Sequence, residues 1–279
     1  MSLCRIHISC PRLAGVGDGV NHLLEFEMDD VLNDKVVIIT GAAGGIGAAT
    51  ARLMASRGAK LVLVDRSAEA LQAVAEDIGN GAIALASDVT SEQDMGRMAE
   101  VAIERHGRID ILIAGAGILR TSGTPQMVAD TSFADWRRVL DVNLTGTFLS
   151  NRAVLPAMLA QKLGDIVNIS SVSGKQGRAF DGAYAASKFG IVGLSESLAE
   201  EVQREGVRVQ CLLPDAVDTT IWEQSGGLAL KPRLMLTPER VASFIAYLVT
   251  LPRDTFLLNP VVAPVPLRAR KAKPAPVAS

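Results

Sequence analysis

From Lys35 onward the chain alternates short, unbroken apolar runs with longer stretches of mixed character. The runs are VVIIT (36–40), LVLVD (61–65), AIALASD (82–88), ILIAG (111–115), DIVNIS (165–170), VRVQCLLP (207–214) and PVVAPV (260–265). The stretches between them, 45–58, 67–79, 91–106, 131–161, 181–205 and 237–250, have the length and pattern of helices. Strands apolar on both faces, each followed by a helix, predict a parallel sheet covered on both sides. Right-handed crossovers then give an α/β, doubly wound, three-layer architecture in a single domain over 34–266. Ser67, with Glu69 behind it, reads as a helix start; Ser91-Glu-Gln-Asp94 reads as a capping box.

Residues 1–33 stand outside this rhythm. Gly15, Gly17 and Gly19 have no strand ahead of them, so they make no phosphate loop. This segment is expected to be a disordered extension, with Met28 as an alternative start. The tail 267–279 carries Arg268, Arg270, Lys271 and Lys273 among Ala and Pro and is expected to be a disordered, solvated end. Hydrophobic content of 48% with only 4% aromatics demands an aliphatic core, as a buried parallel sheet has. A net charge of −2 argues against nucleic acid or an anionic membrane surface as partner. Cys4, Cys10 and Cys211 form neither a disulfide framework nor a metal-ligand pattern, so no metal is expected. With no apolar run of membrane-spanning length and no secretory signal in MSLCRIHISCPRLAG, the expected compartment is the reducing cytoplasm.

Thr40-Gly41-Ala-Ala-Gly44-Gly45-Ile46-Gly47 follows the first strand and opens a helix. In that context glycines let the backbone turn sharply beside a pyrophosphate, whose charge meets the helix N-terminus. This is the dinucleotide loop of a Rossmann fold. Two spacings fit, GxxxGxG (41, 45, 47) and GxxGxxG (41, 44, 47), and the glycines do not choose between them. Asp65 ends the second strand, placed to accept from both adenosine ribose hydroxyls and to repel a 2′-phosphate. Gly44 offers no basic side chain before Gly45, so NAD is expected over NADP, with Arg66 as the competing signal. Asp88-Val89 either caps the adenine amino group or begins the next helix.

Tyr184-Ala-Ala-Ser-Lys188 puts a phenol and an ammonium one helical turn apart on one face. A free phenol, with a pKa of about 10, is a poor base at neutral pH, and bringing it near 7 takes roughly 4 kcal/mol. One cation at about 4 Å and an effective dielectric of about 20 supplies that order. The pair is chemically sufficient as a tuned acid and base.

Asn168-Ile-Ser170-Ser171-Val-Ser173-Gly174 ends the fifth strand, and Asp141-Val-Asn143-Leu-Thr-Gly lies on the preceding helix. With the glycine turn and the Tyr–Lys pair, in this order, the chain resembles the short-chain dehydrogenase/reductase family over about 33–265. The resemblance implies an NAD(P)-dependent oxidoreductase acting on an alcohol or ketone. Tyr184 would transfer the proton, Lys188 would lower its pKa and bind the nicotinamide ribose, Ser171 would bond the substrate oxygen, and Asn143 would hold a relay water. Ser170 and Ser173 rank lower. Pro214-Asp-Ala-Val217-Asp-Thr219 resembles the nicotinamide-side segment, with the Val217 amide and Thr219 hydroxyl near the carboxamide.

Three departures stand out. After the fourth strand the chain has Ala114-Gly115-Ala116-Gly117, without the Asn that ties neighbouring strands; this loop should still pass close to the cofactor. Asp215 replaces a usual Gly, which puts the local turn and substrate access in question. LLNPVVAPVPLR stands where Asp-Gly-Gly is common.

A non-catalytic NAD-binding regulator of the same fold is opposed by the intact Asn–Ser–Tyr–Lys set. A nucleotide-sugar epimerase or dehydratase needs more chain than the 91 residues after Lys188. The substrate is not legible. The expected lid, Thr220 to Leu236, carries Trp222, which either lines an apolar pocket or packs the lid down, together with Glu223, Lys231 and Arg233. Gln176, Arg178 and Phe180 are further candidates to face substrate, and Arg178 invites an acid. Phe148, Leu149, Leu194 and Leu198 extend beyond one core-facing stripe on their helices, so a homo-oligomer, tetramer or dimer, is expected.

Overall fold

Every apolar run becomes a strand: β1 (Val36–Thr40), β2 (Lys60–Asp65), β3 (Ile83–Ala86), β4 (Ile111–Ala114), β5 (Gly164–Ile169), β6 (Val207–Pro214) and β7 (Val261–Val262). In this computed structural model, which describes residues 31–79, 81–228 and 231–266, they form one sheet. The order is β3-β2-β1-β4-β5-β6-β7, and every neighbouring pair is parallel. β7 is shorter than the run 260–265 because Pro264 has no N–H to extend the ladder. Of the expected extension 1–33, only the last three residues are described, and Leu32 among them is fully buried in the core. The basic tail 267–279 lies outside the described residues.

The period-two rule sorts the sheet's side chains into two cores. Val37, Ile39, Leu61 and Leu63 face α1 (Gly45–Ser56), α2 (Ala68–Ile78) and α7 (Pro238–Thr250). Val36, Ile38, Val62 and Val64 face α3 (Glu92–His106), α5 (Gly146–Gln161) and α6 (Gly182–Val202). The doubly wound, three-layer expectation is met.

The stretch 131–161 is not one helix. α4 (Phe133–Leu140) runs through a π turn, Asp141–Thr145, into α5. A π turn carries an extra residue in the helical ladder and re-aims its side chains, a device found mostly at functional sites. Asn143 sits in it, fully buried.

Two capping expectations change. Ser91 Oγ accepts from the Asp94 N–H at 3.1 Å, but the Asp94 carboxylate takes the Asp88 N–H at 2.8 Å, so only half of a capping box forms. Ser67 makes no side-chain cap; its N–H donates to Asp65 Oδ1 at 3.0 Å. The surplus apolar residues divide as well. Leu149 and Leu198 belong to the core and Leu194 is half-buried, whereas Phe148 and, unforeseen, Phe189 are exposed by 43% and 47%.

β1 and β4 are the neighbours from which the chain winds in opposite directions. A crevice opens beyond the carboxyl ends of the strands there, the usual ligand site of an open α/β sheet.

Candidate active site

The glycine turn fills the base of that crevice. Gly41 (φ +75°) and Gly45 (φ +53°) occupy the left-handed region. A Cβ at Gly47 would lie 2.0 Å from the Gly41 carbonyl oxygen. Gly44 has extended backbone and open space around its Cα. The obligatory set is therefore 41, 45 and 47, which decides the spacing that the glycines alone left open. Ile46 and Gly115 line the catalytic cleft; Gly41 and Gly44 line the adjoining groove.

That groove, about 600 Å³, runs from Asp65 and Arg66 past Gly44 to Ala116 and Gly117. Asp65 Oδ2 accepts the Ala43 N–H at 3.1 Å, which ties the glycine turn to the end of β2. The missing strand-tying Asn is replaced by Thr40, whose Oγ1 accepts the N–H groups of Gly115 (3.2 Å) and Ala116 (3.4 Å). Ala114 is buried as the last residue of β4. The residues fit a dinucleotide: a helix N-terminus and open glycine backbone for the pyrophosphate, and a carboxylate for the ribose. Asp88 is engaged at the groove wall by Thr90 (2.9 and 2.8 Å) and by Arg138 (3.3 Å), with Val89 buried beside it. Burial, the largest single effect, raises the Asp88 pKa, but the hydrogen bonds from Thr90 and the charge and hydrogen bond of Arg138 together outweigh it and leave the pKa lowered.

The groove opens into a cleft of about 290 Å³ lined by Ser171, Tyr184 and Lys188. Two residues beyond β5, Ser171 stands in extended conformation; its Oγ accepts the Ser173 N–H at 3.1 Å, and it lines the cleft with the Tyr184 phenol. Tyr184 and Lys188 lie in the first two turns of α6. Lys188 Nζ donates to the Ile169 carbonyl at 2.9 Å and stands 5.5 Å from the Tyr184 ring centroid. Ser170 is a fastener, its Oγ donating to the Lys188 carbonyl at 2.9 Å, and Ser173 is buried behind Ser171.

The electrostatics differ from the sequence expectation. Burial pushes the Tyr184 phenol up to about 12; Asp181 adds to this, and Ser171 and Arg178 oppose it. Burial also pulls the Lys188 ammonium down to about 8. Burial, not the Lys188 charge, dominates the Tyr184 shift, which runs opposite to the sequence expectation.

Asn143 brackets the cleft from behind. Its Nδ2 donates to the Ile118 carbonyl (2.9 Å) and to Ser187 Oγ (3.0 Å), and its Oδ1 accepts the Ile118 N–H (2.8 Å). It thus fastens the loop after β4 to α6.

Pro214, Val217 and Thr219 line the far wall. Trp222 does both things considered for it, lining the cleft while its Nε1 donates to the Val217 carbonyl at 2.8 Å. Phe180 and Arg178 also line the cleft, and Gln176 is exposed away from it. Asp215 distorts no turn: its N–H joins the sheet through the Val262 carbonyl (2.8 Å), and its Oδ1 accepts from Arg178 at 3.0 Å across the cleft. Sequence reasoning missed Arg120, Asp181, Arg138 and Gln224. Gln224 Oε1 accepts the Leu119 and Arg120 N–H groups (2.8 and 3.3 Å), pinning the lid to the loop after β4. None of the four lies in a motif; the sheet topology brings them in.

A dinucleotide groove that ends on a serine, a tyrosine and a lysine defines a class of nicotinamide-dependent oxidoreductases. The chain belongs to the short chain dehydrogenase family, whose model matches residues 35–227. It is an oxidoreductase of CH–OH groups that works with a nicotinamide cofactor. An uncharacterized oxidoreductase of Listeria monocytogenes is 36% identical over 245 residues, covering 84% of this chain and 97% of that protein. A 3-oxoacyl-[acyl-carrier-protein] reductase of Synechocystis is 35% identical over 234 residues, covering 81% and 93%. The crystal structure of a 3-ketoacyl-(acyl-carrier-protein) reductase from Brucella melitensis, complexed with NADH, matches with a TM-score of 0.74 at 29% identity, covering 83% of this chain and 97% of its own length. Among the described residues no helix is long and apolar enough to cross a membrane.

The glycine geometry makes a graded prediction. Gly44→Ala should weaken NADH binding less than Gly47→Ala does, because its methyl meets no atom of the protein. Gly47→Ala, whose methyl cannot coexist with the Gly41 carbonyl, should weaken NADH binding by at least about tenfold, roughly 1.4 kcal/mol. NADH fluorescence titration reads both. Equal losses in the two variants would contradict the assignment.

Proposed function

We propose that the protein interconverts an alcohol and a ketone with NAD as the preferred cofactor and Tyr184 as the proton donor and acceptor. The observation that carries this reading is the convergence of Ser171, Tyr184 and Lys188 on one cleft continuous with the glycine-turn groove. When bound, the cofactor supplies or accepts the hydride. In the reductive direction Ser171 holds the carbonyl oxygen and Tyr184 donates its proton to the oxygen as negative charge develops there. A phenol pushed up to about 12 is fully protonated at neutral pH and is poised as a donor. In the oxidative direction the phenolate needs cations, and Lys188 is the one this chain places against the ring. The relay role of Asn143 is supported by Gly117, where a Cβ would lie 3.4 Å from Asn143 Oδ1 and 3.6 Å from Lys188 Nζ. The absent side chain leaves room for a water between them.

Asp65 supports NAD. Each of its oxygens holds one backbone N–H and retains a lone pair for a ribose hydroxyl, and its charge opposes a 2′-phosphate. Of the arginines that line this groove, Arg138 is held by Asp88. The exposed Phe148 and Phe189 on α5 and α6 support a homo-oligomer, tetramer or dimer; a monomer in light scattering would contradict it. A cytoplasmic setting fits the buried free thiol of Cys211.

NAD should exceed NADP by at least about tenfold in kcat/KM, about 1.4 kcal/mol, and Asp65→Ala should erode that ratio. Steady-state rates with both cofactors on a panel of secondary alcohols decide it, and equal efficiencies in the unmodified enzyme would contradict the assignment.

Tyr184→Phe should lose nearly all turnover while still binding NADH. For the unmodified enzyme, ketone reduction should show no loss of rate from Tyr184 between pH 6 and 9, because a group raised to about 12 keeps its proton throughout that window. Retention of most of the kcat by Tyr184→Phe would show that the proton comes from elsewhere.

A further inference from the structure

Two ion pairs close the substrate end of the cleft, and they are unlike. Arg178 and Asp215 meet at 3.0 Å with Arg178 half exposed, a pair that water also serves. Arg120 and Asp181 meet at 2.5 Å with side-chain exposures of only 10% and 19%. Arg120 is held there by a single nitrogen. Nη2 donates to Asp181 Oδ1, while Nε and Nη1 are buried with no hydrogen-bond partner among the described residues. A guanidinium has five N–H donors, so three of them are buried and unmet. Each such donor is costly, because desolvation is not repaid by a bond.

The placement says which ligand would meet them. Arg120 borders both the cofactor groove and the catalytic cleft. Its backbone N–H points to Gln224, a groove residue. Its guanidinium is carried to Asp181, which lines the cleft with Tyr184 but not the groove. The charged head therefore lies at the substrate end, and the residue's main chain lies at the cofactor end. Arg178, the cation whose position in the sequence invites an acid, is already engaged by Asp215.

We propose that Arg120 is a specificity-determining residue that receives a carboxylate of the substrate, so that the preferred ketone is a small oxo acid. This rests on the oxidoreductase reading above and names its substrate class. Asp181 is a one-point stand-in for that carboxylate. An incoming acid offers two acceptor oxygens to a planar fork suited to bidentate pairing. The resting arrangement leaves three donors unmet, so the acid gains more than it displaces.

The test measures binding apart from turnover. In a Tyr184→Phe background, 3-oxobutanoate and its methyl ester, and 2-oxobutanoate and its methyl ester, are titrated into the NADH complex by fluorescence. At least one acid should bind about tenfold or more tightly than its ester. Adding Arg120→Gln should bring that ratio within about twofold while leaving NADH affinity unchanged. Adding Asp181→Asn should instead tighten acid binding, by about threefold or more, because it removes the competing carboxylate. A purely structural ion pair would respond to both substitutions with the same sign of effect. No acid preference, a preference that survives Arg120→Gln, or weaker acid binding in Asp181→Asn would each overturn the proposal, and the Asp181 arm stands even if Arg120→Gln fails to fold. Turnover of the esters by the unmodified enzyme reports the oxidoreductase reading separately.

Discussion

A phenol and an ammonium held out of water one helical turn apart are the constraint around which this molecule is arranged. Burial drives each toward its neutral form, Tyr184 up to about 12 and Lys188 down to about 8. Neither can be left without partners in such surroundings. The Ile169 carbonyl receives the Lys188 ammonium, Ser171 meets the phenol, and Ser170 holds the helix backbone at Lys188. Asn143, re-aimed by the π turn, locks the preceding residue, Ser187, to the loop after β4. The end of β5, the helix α6 and the π turn thus form one fastened unit.

The sheet puts that unit where a dinucleotide can reach it. The chain winds away from β1 and β4 in opposite directions to open the crevice, Gly41 and Gly47 allow the backbone to close up, and Asp65 fixes the turn from the end of β2. The opposite side of the cleft is built from charges. Arg178 with Asp215, and Arg120 with Asp181, set the polarity that a substrate meets before it reaches the phenol. Asp181 and Arg178 also act on Tyr184 directly, in opposite senses, so the ion pairs of the cleft and the phenol share one electrostatic environment.

Much of this was legible from residue order. The seven strands, the glycine turn and the Tyr–Lys pair depend on local periodicity and fixed spacing, which one chain displays. The obligatory glycines needed φ values and close approaches, since Gly44 and Gly45 are adjacent and chemically identical. The π turn was invisible because its extra residue leaves no compositional trace in 131–161. Arg120 and Asp181 are separated by 61 residues and meet only because their loops converge on the same strand ends. The sign of the Tyr184 shift was misjudged because spacing reveals a nearby cation but not the dryness of the site, and dryness prevails in the chain alone.

The chain has only two tyrosines, Tyr184 and Tyr247. In a Tyr247→Phe variant the ultraviolet absorbance of tyrosinate therefore reports the ionisation of Tyr184 without any substrate. The account predicts a phenol that titrates above the free value of about 10 in the chain alone and moves down when NAD is saturating. Lys188→Met should diminish any part of that downward movement that carries the phenol below about 8, where Lys188 is charged and stabilises the phenolate. A phenol that titrates as a free one in the chain alone, or an inflection unchanged by NAD and by Lys188→Met, would contradict the claim that burial sets the resting proton and that charge assembled at the site releases it.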